Sequence, residues 1–293
     1  MNTLRTAAEV RRTLAPLRGT SRIGLVPTMG AYHDGHVALF RAARRSSDVV
    51  VVSSFVNPAQ FGDPADLAAY PRDAARDARV AAGEGIDLLF VPDVAEMYPA
   101  DYATWIEVEG PARGLEGDFR PGHFRGVATV CLKLFTIVRP NVACFGQKDA
   151  QQVAVVTQLV RDLNLDLQIQ IVPTVRDSDG LALSSRNVRL SGDERDRALA
   201  IPRALTAGLA AYREGRDPVA AARALLTGLE PDYVAVADLN GRPTLAVAAR
   251  VGRTRLIDNV VLDVPGSSPP ETLARGQSAE EPGNEQPATA RQT

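Results

Sequence analysis

The sequence predicts an α/β fold: a Rossmann-like, doubly wound parallel sheet with a smaller α+β C-terminal domain. Three observations lead there: short β-branched runs, helical patterns between them, and a change of texture after Pro173. The runs are "IGLVP" (23–27), "DVVVVSSFV" (48–56), "IDLLFVP" (86–92), "NVACFG" (141–146) and "LQIQIVP" (167–173). Their near-continuous apolar character fits strands covered on both faces, as a parallel sheet requires. Between them, "HVALFRAARR", "DLAAYPRDAARDARVAAGEG", "VATVCLKLFTIVR" and "QQVAVVTQLVRDLN" carry apolar residues at three- and four-residue steps, as crossover helices do. After Pro173 come the polar stretch "TVRDSDGLALSSRNVRLS" and alanine-rich helical patterns from 191 to 229. The strand-like "DYVAVADLN", "TLAVAARV" and "TRLIDNVVLDV" follow. The expected division is a Rossmann-like domain over 1–174, a smaller α+β domain over 175–263 and a disordered tail over 264–293. The tail carries no aromatic residue and only Leu273 as a large aliphatic, too little apolar surface to offset ordering its backbone.

Composition narrows the function. A chain of 293 residues that is 45% hydrophobic can fill a sizeable core, so it reads as globular. A formal net charge of -2 with interleaved signs offers no basic field for nucleic acid and no polybasic membrane anchor. The N-terminal stretch has no apolar segment of signal-peptide length, and no run approaches the roughly 18 apolar residues of a membrane span. Cys131 and Cys144 lack metal or redox spacing and read as small buried hydrophobes of a reducing compartment. The expectation is a soluble cytoplasmic protein that acts on small molecules.

In a doubly wound sheet, ligands bind beyond the carboxyl ends of the strands, where the turns after "LVP", "SFV" and "ACF" lie. The first turn opens "TMGAYHDGH" (28–36), with His33 and His36 before a helical pattern. A helix starting near Asp34 points free N–H groups at a phosphate, and paired imidazoles can stabilise charge growing on its oxygens. Gly35 leaves room for close approach of a nucleotide. The plain alternative is that His33 caps the helix and His36 packs. Zinc is disfavoured because no third His or Cys is near. The third turn opens "CFGQKDAQQ" (144–152), where Lys148 can reach phosphates, Asp149 ribose hydroxyls and Gln152 a polar substrate, unless these are solvated or capping residues. "DGLALSSRN" (179–187) sets two hydroxyls beside an arginine, suited to a polyphosphate or to an ordinary turn. "SFVNPAQFG", which runs to Gly62, ends a strand with the amides of Asn57 and Gln60, available to read hydroxyl or carboxylate groups, or forming only an Asn-Pro turn. No P-loop, nucleophile elbow or dinucleotide fingerprint occurs. His123, between Arg120 and Arg125, fits an anion corner, a subunit contact or a helix start.

Taken in order, "VPTMGAYHDGH", "FVNPAQF", "YPRD", "GHFRGVATVCLKLF", "FGQKDAQQ" and "DGLALSSRN" closely resemble the pantoate–β-alanine ligase family, of the His-x-Gly-His nucleotidyltransferase superfamily. The likeness extends to about residue 263. It implies a homodimer that joins (R)-pantoate to β-alanine through a pantoyl adenylate, consuming ATP with Mg2+ and releasing AMP and pyrophosphate. It implies that Met29, Gly30, Ala31, Tyr32, His33, Asp34, Gly35 and His36 cradle ATP, with His33 as proton donor. It further implies Gly146 and Asp149 at the ribose, Gln147 near the nucleotide, Lys148 on the phosphates, and Val175 with Leu183, Ser184, Ser185 and Arg186 closing over the adenine and polyphosphate. Gln60 and Gln152, with Asn57 beside them, would bracket pantoate, and no protein metal ligand is implied. The chain departs from the family at Gln147 (usually Glu), Ala150 (often aromatic), Leu183 (usually Met) and Ala59 (often larger). Those departures leave room for a paralogous ligase of another hydroxy acid, or for a nucleotide sensor.

Overall fold

The computed structural model describes residues 1–262, and structural statements refer to these. The parallel sheet is built from β1 (Asn2–Leu4), β2 (Ile23–Thr28), β3 (Val49–Ser54), β4 (Leu88–Phe90), β5 (Val142–Gly146) and β6 (Gln168–Val172). Its order is β1-β4-β3-β2-β5-β6, and every pairing is parallel. From β2 the chain moves outward through β3 to β4, then returns to place β5 on the other side. The order therefore reverses between β2 and β5, and a crevice opens beyond their carboxyl ends.

The helices among these strands are α1 (Ala7–Leu14), α2 (Asp34–Ser46), α3 (Pro64–Ala68), α4 (Ala74–Gly83), α5 (Val94–Met97), α6 (Glu116–Phe119), α7 (His123–Val138) and α8 (Ala150–Asp162). One face of the sheet packs Leu25, Val51 and Phe145 against Val10 and Leu14 of α1, Leu134 of α7 and Val156 of α8. The other packs Val26, Val50 and Val52 against Phe40 of α2 and Ala81 of α4. Two covered faces explain the continuous apolar runs. The single helical pattern expected over 66–85 is two helices, because Pro71 removes a backbone donor and biases Tyr70 out of the helical region. Strand β1 has no counterpart among the expected strands. Its three residues are too few to show a period.

Beyond β6 come α9 (Gly192–Ala198), α10 (Ala200–Arg213) and α11 (Pro218–Arg223), then β7 (Glu230–Asp238), β8 (Pro243–Val251) and β9 (Thr254–Val261). The last three form an antiparallel sheet with β8 in the centre. A second core of Ile201, Leu205, Leu245, Val247 and Leu256 joins this sheet to α10. The stretch 264–293, expected to be a disordered tail, lies outside the described residues, as does Asp263.

Candidate active site

The loop between β2 and α2 is fixed from behind. The carboxylate of Asp77 on α4, 3% exposed, accepts from the N–H of Ala31 at 2.8 Å and of Tyr32 at 2.9 Å. Arg76, next to it, donates to the Tyr32 carbonyl at 3.0 Å. These bonds hold Ala31 at φ 54°, a left-handed geometry costing an alanine about 1 kcal/mol. The result turns the chain so that α2 starts at the crevice.

His33 caps that helix. Its Nδ1 accepts from the Gly35 N–H at 3.1 Å, and Nδ1 of His36 accepts from the His33 N–H at 3.3 Å. A ring nitrogen that accepts carries no proton, so in both rings the proton sits on Nε2, free for the cavity both histidines line. The rings lie 4.2 Å apart. A Cβ on Gly35 would stand 2.8 Å from Cε1 of His33, so glycine is what lets the ring fold over its own helix start. Burial first, then the Lys148 ammonium, pushes His33 down to about 4; burial, His33 and Lys148 push His36 down to about 3. Both are neutral donors in the free protein. The capping alternative and the phosphate-binding one are thus compatible, since capping uses Nδ1 alone.

Beyond β3, Asn57 is 1% exposed and fully bonded. It donates to Gln60 Oε1 at 3.0 Å and to the Gly126 carbonyl at 3.1 Å, while its Oδ1 accepts from the Tyr98 hydroxyl at 2.9 Å. This arrangement aims Gln60, whose Nε2 meets Met29 Sδ at 3.2 Å. The turn can sit this close to α7 only because Gly126 lacks a Cβ, which would stand 2.4 Å from the Ala59 carbonyl oxygen.

Beyond β5, Lys148 and Asp149 line the cavity, with Nζ and Oδ1 3.9 Å apart. Gln147 instead turns to the antiparallel sheet: its Nε2 donates to Asn259 Oδ1 at 3.2 Å, and Asn259 Nδ2 donates back to the Gln147 and Lys148 carbonyls at 3.0 and 2.9 Å. Leu183 N–H bonds the Val175 carbonyl at 3.0 Å, which places both residues at the cavity rim. Ser184 Oγ accepts from the Arg186 N–H at 3.3 Å, and Arg186 reaches across to α3, where it and Arg189 meet the Asp66 carboxylate at 2.8 and 3.2 Å. Ser185 Oγ stands 3.5 Å from the Tyr70 hydroxyl. Burial opposes a charge on Asp66, but the two guanidiniums hold its pKa below the usual carboxylate value.

One cavity therefore collects Met29, His33, Gly35, His36, Asn57, Gln60, Gly146, Lys148, Asp149, Gln152, Val175, Leu183, Ser184, Ser185 and Arg186 from four separate stretches of sequence. Gly30, Ala31, Tyr32, Asp34 and Gln147 are not among its lining: the first three are tied to Asp77 or packed, Asp34 is exposed, and Gln147 faces Asn259. Arg120, His123 and Tyr70 line it as well, although the sequence patterns assign them no role there. A cue for Arg120 and His123 was the position of the histidine between Arg120 and Arg125 at the start of α7; for Asp77 and Asp66 there was none, because an acidic residue on a polar helix is ordinarily solvated. Cys131 and Cys144 are buried free thiols. Among the described residues no three His, Cys, Asp or Glu converge as a metal site, and no helix is long and apolar enough to cross a membrane.

A crevice at a strand-order reversal, lined by a helix start, two neutral imidazoles, a lysine and two arginines, fits an α/β enzyme that binds a phosphorylated ligand. Comparison with known proteins makes the class particular. The sequence pattern of the family described as Pantoate-beta-alanine ligase matches residues 2–261. The pantothenate synthetase of Moorella thermoacetica is 51% identical over 282 residues, covering 90% of this chain and 99% of that protein. Pantothenate synthetase 1 of Bradyrhizobium diazoefficiens is 49% identical over 278 residues, covering 89% and 98%. The crystal structure of pantothenate synthetase from Thermus thermophilus superposes with a TM-score of 0.84 at 44% identity, covering 89% of this chain and 99% of that one. The pantoate-β-alanine ligase from Francisella tularensis, solved in complex with β-γ ATP and β-alanine, gives 0.79 at 36% identity, covering 89% and 98%. The chain belongs to the pantoate–β-alanine ligase family.

Proposed function

We propose that this cavity performs both halves of an ATP-dependent ligation of (R)-pantoate to β-alanine. In the first, a carboxylate oxygen of pantoate attacks the α-phosphorus of ATP; that P–O bond forms as the bond to the β-phosphate oxygen breaks, and pyrophosphate leaves. In the second, the amine of β-alanine, having lost its extra proton, attacks the acyl carbon of the pantoyl adenylate. The C–N bond forms, the C–O bond breaks, and AMP leaves with the former pantoate oxygen.

The observation that carries this reading is the convergence of two neutral Nε2–H donors with Lys148 and Arg186 at the start of α2. Adenylation is mainly positioning plus stabilisation of charge on a crowded phosphorus, and preorganised donors supply both. His33 and His36 hold the phosphates through Nε2–H; the approach of the polyphosphate raises the depressed pKa of both rings, so that His33 takes up a proton and returns to its neutral form by passing one to the departing oxygen. Lys148 and Arg186, with Ser184 and Ser185, take the β- and γ-phosphates. Asp149 and Gly146 hold the ribose, and Val175 and Leu183 cover the base. Gln60 and Gln152 bracket pantoate, and Asn57 acts through Gln60. Residues 175–262 serve as a lid over the catalytic region 1–174 and keep water from the acyl adenylate.

A Mg2+ would arrive with the ATP, since that ion favours phosphate oxygens and water as ligands. Bound there, it would neutralise charge on the polyphosphate. We also propose a cytoplasmic homodimer, which light scattering of the purified protein would show as twice the 31.3 kDa chain mass. The ligation is tested by omission. Pantothenate should appear by mass only when ATP, Mg2+, (R)-pantoate and β-alanine are all present. A clear preference for another hydroxy acid would point to a paralogous ligase, and ATP binding without pyrophosphate release to a sensor.

A further inference from the structure

We propose that Arg120 anchors the carboxylate of the amine substrate and so makes the site select an amino acid over a simple amine. The inference rests on the ligase reading above. The cations that line the cavity are Lys148, Arg186 and Arg120. The first two are engaged with the polyphosphate in that reading, whereas the substrate whose amine must reach the acyl carbon carries a carboxylate of its own. Burying that carboxylate without a cation would be costly. Arg120 is the remaining candidate on the cavity wall.

Its surroundings hold the guanidinium in place without consuming its charge. Nδ1 of His123 lies 2.9 Å from the Gln60 carbonyl oxygen, which can only accept, so Nδ1 carries the proton and Nε2 accepts. Arg120 Nη1 donates to that Nε2 at 3.2 Å, and its Nη2 reaches the same Gln60 carbonyl at 3.4 Å. Burial, then Arg120 itself, pushes His123 down to about 4, so the ring stays a neutral acceptor. The nearest carboxylate, Glu116, is 3.6 Å from Arg120. Glu116 is already bonded by both Nη atoms of Arg255, at 2.8 and 2.6 Å, and by the Tyr233 hydroxyl at 2.9 Å. Arg255 in turn meets Asp232. Asp232, Arg255, Glu116 and Arg120 thus alternate in sign from β7 to the cavity, and the cation at the cavity end keeps N–H donors free. A planar guanidinium matches a carboxylate bidentately, which an ammonium does not. Gln60, on the pantoate side, and Arg120 share one backbone carbonyl, so the anchor stands beside the acyl group to be attacked.

The two half-reactions separate this role from the others. Full-length protein, Arg120→Gln and Arg120→Lys would be assayed for (R)-pantoate-dependent ATP–pyrophosphate exchange, and for amide formation with β-alanine and with propylamine, which lacks the carboxylate. Arg120→Gln keeps a donor for His123 and is expected to raise the β-alanine KM by about thirtyfold or more. Exchange should remain within about twofold of the parent, and the preference for β-alanine over propylamine should largely disappear. Arg120→Lys, which keeps the charge but not the fork, should fall between and carries the same test if the glutamine variant does not fold. Exchange that declines in step with amide formation would overturn the proposal and assign Arg120 to the phosphates or the fold. A retained preference for β-alanine would overturn it too. Absence of exchange in the parent protein would instead sink the ligase reading.

Discussion

At the scale of single residues, the histidines decide most. His33 has two tasks, capping α2 through Nδ1 and facing the cavity through Nε2, whereas His36 bonds only the His33 N–H. His36→Ala should therefore lower adenylation at least about a hundredfold, with a loss of about 1 kcal/mol in stability because the His33 N–H loses its partner in the capping box. His33→Ala should in addition cost about 1 kcal/mol through the lost cap, visible in urea unfolding. The three histidines also set an acid sensitivity. Burial holds each below the ordinary 6.5, so the unfolded chain takes up protons that the fold refuses. Their contribution is complete above pH 6.5 and is lost as the pH falls toward the folded values near 4 and 3. The stability that Glu116 and Asp66 contribute through their lowered pKa values persists to lower pH and is lost only as the pH falls through and below the ordinary carboxylate range. Between about pH 6.5 and 5 the melting temperature should drop, and His123→Gln should flatten that slope. A flat profile in the parent protein would contradict the neutral, buried assignment. The histidine pair was legible in the sequence because its spacing and position before a helix carry chemistry. The tautomers were not, since they depend on which backbone N–H each ring meets.

At the scale of elements, the site depends on helices that never touch a ligand. Helix α4 pins the loop before α2 through Asp77, and α7 admits the Asn57–Gln60 turn through Gly126. Gly126→Ala puts a methyl where the Ala59 carbonyl stands and should cost about 1–3 kcal/mol, with a raised KM for pantoate as Gln60 shifts. Asp77→Asn replaces one acceptor with a donor facing a backbone N–H. It should destabilise by about 1–3 kcal/mol, measured in urea, and lower turnover through the displaced histidine loop. The four internal strands were legible because burial on both faces leaves apolar runs, and the edge strand β6 was legible from its alternating isoleucines and valine. Their pairing order was not, because neighbours in the sheet are brought together by crossovers whose paths leave no mark in the strands themselves. Pro71 did announce the break between α3 and α4, but periodicity on both sides of it masks the signal.

At the scale of the molecule, the parallel-sheet region and the later elements meet through polar contacts of Arg255 with Glu116, of Asn259 with the backbone at 147 and 148 and of Arg186 with Asp66, and through a small apolar cluster of Ala150 and Ala154 with Leu239. The change of texture near residue 174 falls just after the last parallel strand, yet the pairs that join the elements on either side of it are separated by more than a hundred residues and show no local pattern. The central claim is a reaction that activates a carboxylate by adenylation at this shared cavity. It is tested most directly with (R)-pantoate labelled with oxygen-18 in its carboxyl group, incubated with ATP, Mg2+ and β-alanine, and the products weighed by mass spectrometry. Attack on the α-phosphorus places one labelled oxygen in AMP, and that is the expected result. Label found in inorganic phosphate, with ADP as the nucleotide product, would mean an acyl phosphate and would contradict the assignment.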